Sequence, residues 1–183
     1  VGMLSIMLDS LITSKTRVKL LTKFFLNSAT RSYLRNLEVE FGESTNSIRV
    51  ELNRLEETGL LKSEYLGNRR YFFANKSHPL FYDISSIVRK YVGIDQIIEN
   101  IINRLGNLKS VYIAGSLARG LDTGVIQIIV VGEHIDREYL TKLVSKAEVL
   151  INKKISYLAF KTEAFQDFSS DRIQDLFLIW NNE

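Results

Sequence analysis

The hydrophobic period of this chain changes near residue 110, and that change limits the folds open to it. Before it, apart from one short hairpin, apolar residues recur at helical spacing. After it, "SVYIA" (110–114) and "VIQIIVV" (125–131) are continuous apolar runs of the kind found in strands buried on both faces. A chain of 183 residues can hold one large domain or two small ones. The break in period favours two: residues 1–92 and residues 93–183, in an α+β fold.

Within the front half, "TRVKLLTKFFLN" (16–27) puts Val18, Leu21 and Phe25 on one stripe. A second helix fits "TRSYLRNLEVEFG", with Thr30 as cap, Tyr33, Leu34 and Leu37 facing in, and Gly42 as the stop. A third fits "STNSIRVELNRLEETGL", capped by Ser44 or Thr45 and buried through Ile48, Leu52 and Leu55. Two strand-prone runs, 61–66 and 69–74, then flank Gly67-Asn68, a hairpin signal. The only proline, Pro79, marks a break. Helices are expected at 80–92 and 94–105, with Gly93 between them as a hinge.

In the back half, a long amphipathic helix fits 136–153 and a third strand fits "KISYLAF" (154–160). "TEAFQDF" and "DRIQDLFLIW" read as helices, the latter packing through Leu176, Phe177, Ile179 and Trp180.

Charge and composition narrow the function. Net charge is +3, but residues 1–92 hold 14 Lys+Arg against 9 Asp+Glu, a net of +5, and the remainder is acidic by two. The basic half is therefore the candidate to meet a polyanion. No cysteine is present, which excludes disulfides and thiolate metal sites. His78 and His134 are too far apart in sequence to suggest zinc. The start, "VGMLSIMLDSLIT", has neither a basic leader nor a clear cleavage site, and no apolar run reaches membrane-spanning length. The expected compartment is the cytoplasm, with no membrane and no cofactor.

On the third helix the buried stripe leaves Thr45, Asn46, Ser47, Arg49, Asn53 and Arg54 outward. The forked side chains of Asn and Arg suit adenine and guanine edges. The hairpin tip adds Asn68, Arg69 and Arg70 for phosphates or the minor groove, and Lys15, Arg17 and Arg31 could add backbone contacts. The order, and in particular "STNSIRVELNRLEETGLLKSE" followed by "GNRRYFFANKSHPL", resembles the winged helix-turn-helix transcriptional regulators of the ArsR-like and MarR-like groups. That resemblance implies double-stranded DNA as partner and a homodimer, with the apolar helices 80–92 and 94–105 as the seam.

"GSLARG" (115–120), placed between two strands, resembles the GSxxxG turn of the polymerase-beta-like, minimal nucleotidyltransferases. In that family Asp-x-Asp on the next strand, and often a third acid on a later one, hold two magnesium ions and a triphosphate. Here the ungapped frame puts Val125 and Gln127 in the first two places, and Lys154, Ser156 and Leu158 on the third strand. The expectation is a nucleotidyltransferase-like domain that is not an enzyme and holds no metal. Gly115, Ser116 and Arg119 either bind a nucleotide or another anionic effector, or simply form a tight strand-to-helix turn.

The combined reading is a DNA-binding regulator whose back half senses, dimerises or recruits a partner. A nucleotidyltransferase targeted by a winged helix and an antitoxin-like interaction module are the alternatives.

Overall fold

The computed structural model describes residues 10–182; the apolar start over residues 1–9 lies outside them. It is a mixed α+β fold that divides into two compact units between Arg89 and Lys90.

The N-terminal unit begins with α1 (Lys15–Phe25), capped by the Ser14 hydroxyl, which accepts from the Arg17 amide. Helices α2 (Leu34–Phe41) and α3 (Thr45–Glu57) follow, joined by Gly42 in the left-handed region at φ 62°. Ser44 caps α3 by accepting from the Ser47 amide, and α3 buries Ile48, Leu52 and Leu55, as its stripe requires. Strands β2 (Leu61–Leu66) and β3 (Arg69–Ala74) form the expected hairpin, pairing Leu66 with Arg69. At its tip only Gly67 takes a positive φ, 62°, which suits a II′ turn; Asn68 does not.

Two expectations for this unit are corrected. Thr30 does not cap α2: the chain first forms a short strand, β1 (Ser32–Tyr33), which pairs antiparallel with β3 and makes the sheet order β1-β3-β2. Two residues are too few to show a period, and the pairing lies some forty residues away in sequence. Tyr33 and Leu34 are only half-buried, so Leu37 alone of the three reaches the core.

Helix α4 (Phe81–Val92) closes the unit and runs past its boundary. In the C-terminal unit Gly93, at φ 96°, turns the chain into α5 (Ile94–Ile97). A π-helical segment (Ile98–Ile102) and α6 (Asn103–Leu105) follow, where the sequence reads as one plain helix. A Cβ on Gly93 would lie 3.1 Å from the Ile151 side chain, so packing as well as φ disfavours other residues there.

Strand β4 (Leu108–Ala114), short helix α7 (Gly115–Ala118), β5 (Val125–Gly132), α8 (Arg137–Ile151) and β6 (Lys154–Phe160) come next. Then come α9 (Thr162–Ser169), a 3-10 turn (Ile173–Asp175) and β7 (Phe177–Asn181). The sheet order is β6-β5-β4-β7, with β5 and β6 parallel and the other pairs antiparallel. The helix expected over "DRIQDLFLIW" is thus a strand. A five-residue run of large apolar side chains has no period to separate helix from strand, and β4, already apolar, offers a free edge. Trp180 pairs with Val111 in the ladder.

One face of the sheet is packed at its far end by α9. Phe165 joins Ile129 and Val131 there, and its ring stacks on Tyr112 at 4.9 Å. On the other face Ile126, Ile128 and Val130 are buried, and α8 packs on β6 through its Leu140, Leu143, Val144 and Ala147 side. No helix among the described residues is long and apolar enough to cross a membrane.

Candidate functional site

In the N-terminal unit, α2, α3 and the hairpin surround an open groove of about 840 Å³. Thr45, Arg49 and Asn53 line it from α3, and Asn68, Arg69 and Arg70 from the hairpin. Those positions on α3 are four apart, so one helical face supplies all three. Asn46 is exposed but lies outside the groove lining, as do Ser47 and Arg54. Ser47 is partly engaged in the cap, its hydroxyl 2.8 Å from that of Ser44. Arg54 leans on Glu51, 3.4 Å away.

The arginines of this face are not equivalent. Arg70 donates through its guanidinium to both carboxylate oxygens of Glu56 at 2.7 and 2.6 Å, and its Nε donates to Ser63. Its charge is matched within the protein, and the pair ties the hairpin to the last turn of α3. Arg17 is likewise held by Glu51 at 2.8 Å, and Arg31 by Glu64. Burial would raise the Glu51 pKa, but bonds from Arg17 and Ser14 bring it below the ordinary value.

Arg69 is exposed and sits 4.9 Å over the Tyr33 ring, with no carboxylate partner among the described residues. Arg49 and Arg35 are exposed, and neither makes an ion pair among the described residues. Arg35 lies in the first turn of α2, whose N-cap is Tyr33, three residues beyond Thr30. The groove therefore offers three uncompensated guanidinia, Arg35, Arg49 and Arg69, beside the amides of Asn53 and Asn68 and the one carboxylate of Glu38.

The second candidate lies on the open end of the C-terminal sheet. Gly115 opens α7 at φ 65° immediately after β4. Val125 and Gln127 alternate on one exposed face of β5. The parallel register sets Val125 beside Lys154 and Gln127 beside Ser156 on β6, with Leu158 next along. This is the face on which carboxylates would hold magnesium. None is there, and no cluster of three acids or histidines able to hold a metal exists among the described residues. A valine, an amide, a lysine and a hydroxyl cannot balance two divalent cations. Of the acids nearby, Asp122 is committed elsewhere, accepting from Lys153 at 2.5 Å and from the Gly124 amide at 3.1 Å, and Asp175, before β7, is a single carboxylate on the adjoining cleft.

The Gly115 turn is itself covered. A Cβ built there would meet the Gln127 carboxamide oxygen, so the space over the glycine is filled by that side chain. The residues present do not fit a two-magnesium triphosphate site.

The same face forms a cleft of about 550 Å³, lined by Gly115, Arg119 and Gln127 together with residues of β6, α9 and the segment before β7. Ser116 is not part of its lining. His134 lies beyond the end of β5, outside the cleft.

No family model matches this chain, and no curated protein sequence matches it. A solved structure from Sulfolobus solfataricus, described as a "putative nucleotidyltransferase", is 28% identical to it. The match covers 49% of this chain and 78% of that one, at a TM-score of 0.34. Superposition at that level is too poor for the likeness to bear on fold or activity.

Proposed function

We propose that this protein is a DNA-binding transcriptional regulator with two parts. The N-terminal unit is a winged helix-turn-helix, in which α3 enters the major groove and the β2–β3 hairpin is the wing. The C-terminal unit is a nucleotidyltransferase-like domain without transferase activity, serving to sense, dimerise or bind a partner. Regulation is exerted on double-stranded DNA in the cytoplasm, by a homodimer whose two-fold axis matches paired half-sites.

One observation carries this reading. Three guanidinia without ion pairs among the described residues, and the amides of Asn53 and Asn68, converge on a single open groove between α3 and the hairpin. Uncompensated arginines attract phosphates, and Asn and Arg on one helical face present the donors and acceptors that base edges match. The empty carboxylate positions support the second half of the reading, because phosphoryl transfer on a triphosphate needs fixed negative charge to hold the metals.

Selection of bound fragments from fragmented genomic DNA, followed by mobility-shift titration, tests the first half. The expected result is a preferred sequence whose identity shifts in Arg49→Ala and Asn53→Ala. Equal affinity for all fragments, with no effect of either change, would remove the regulator reading. Incubation with labelled triphosphates and magnesium tests the second half, and label transferred to protein or RNA would refute it.

A further inference from the structure

We infer that the cleft of the C-terminal unit binds an organic phosphate with a planar body, without a divalent cation, between Arg119 and Arg172. The inference rests on reading that unit as a non-catalytic sensor, and it names the chemistry sensed.

Arg119 ends helix α7, and Arg172 precedes the 3-10 turn before β7, more than fifty residues later. The fold brings both to one cleft. Arg119 makes no side-chain hydrogen bond or ion pair among the described residues, while the Arg172 guanidinium sits over the Phe168 ring, 5.1 Å from its centroid. Stacking of this kind fixes the plane of a guanidinium and leaves its edge donors available, and the fork of donors matches a phosphate in bidentate fashion.

The charge of the lining follows the same logic. Its floor is neutral, from Gln127 and Ser156, and Asp175 is its single acid against two arginines. The wall is therefore net positive where a metal-dependent enzyme is net negative, and phosphate can bind it directly. Leu158, Phe168 and Leu176 supply an apolar wall beside the arginines, suited to a flat ring. The volume, about 550 Å³, lies in the range of small-molecule sites.

Calorimetric titration of the full chain tests this with ATP and with inorganic pyrophosphate, each in EDTA and each in excess magnesium. The expected result is one ATP bound per chain in EDTA, with pyrophosphate weaker and no gain in affinity from magnesium. Arg119→Gln and Arg172→Gln should each weaken ATP by about tenfold, the loss of one charge-assisted pair. Arg137→Gln, on α8 away from the cleft, should change nothing. Absence of ATP binding in EDTA, binding that appears only with magnesium, pyrophosphate as tight as ATP, or indifference to both cleft substitutions would each overturn the inference. Mobility shifts on the same wild-type preparation keep the two readings apart. DNA binding with no ATP binding sinks only the ligand assignment, and ATP binding with no DNA binding sinks only the regulator.

Discussion

Arg69 and Arg70 are adjacent at the hairpin tip, yet they should behave as different kinds of residue. The Arg70 guanidinium bridges both oxygens of Glu56, so removing the two side chains together, R70A/E56A, removes no net charge. Arg69 has no carboxylate partner among the described residues and sits over the Tyr33 ring in the lining of the groove. If Arg69 contacts one phosphate, its removal deletes one released counterion. The slope of log affinity against log salt then falls in magnitude by about 0.9. Between about 50 and about 200 mM salt that corresponds to about 3.5-fold less loss of affinity than the unaltered protein shows. R70A/E56A should leave the slope unchanged and lower stability by no more than about 1 kcal/mol, because the side chains are 38% and 27% exposed and the pair is screened. Fluorescence anisotropy of a labelled duplex across a salt series reads the slope, and urea unfolding reads the stability. Equal slope changes in Arg69→Ala and the double variant would refute the division of roles between the two arginines.

Other consequences are open to direct measurement. Lys23 is 4% exposed and paired with Glu40 at 2.8 Å. Glu40→Gln should cost about 2–3 kcal/mol in urea unfolding, less than a fully buried pair, while Lys23→Met with Glu40→Leu restores most of it. The lowered Glu51 pKa supplies stability present above its ordinary value of 4.5 and lost as pH falls through the folded value. Glu51→Gln should therefore lower the neutral-pH melting temperature and flatten the decline below pH 4.5. Gly93→Ala places a Cβ against Ile151 at a positive φ and should destabilise the C-terminal unit by about 1–2 kcal/mol. If Gly93 is instead chiefly a hinge, that variant keeps its stability and loses interdomain mobility in solution scattering.

Much of the backbone was legible because the signals were local. The hairpin strands at 61–66 and 69–74 match the sequence reading residue for residue, since a Gly-Asn turn and its flanking runs lie within fourteen positions. The caps and stripe of α3 were equally readable. The misreadings are non-local. Strand β7 depends on β4, nearly seventy residues upstream, and β1 exists only because β3 has a free flank. The same holds for the sites. Residue type placed arginines near the right surfaces, but their use depends on partners elsewhere: Glu56 neutralises Arg70, and the pairing of β7 brings Arg172 to the cleft. The pairing of Val125 with Gln127 on one face, by contrast, could be read from spacing alone, because two-residue alternation along β5 fixes which side chains share a face.

Strand β1 also divides the hairpin mechanically. It pairs with β3 at Phe72 and Tyr71 and stops there, so the root of the hairpin is flanked on both sides while Arg69 and Arg70 are flanked on one. A ribbon clamped at its base and free at its end bends most at the point where the clamp ceases, between Arg70 and Tyr71. Amide protons should follow suit, exchanging slowly at the root and fast toward Gly67, and the tip can adjust to the local width of a groove while the base holds its angle to the helix.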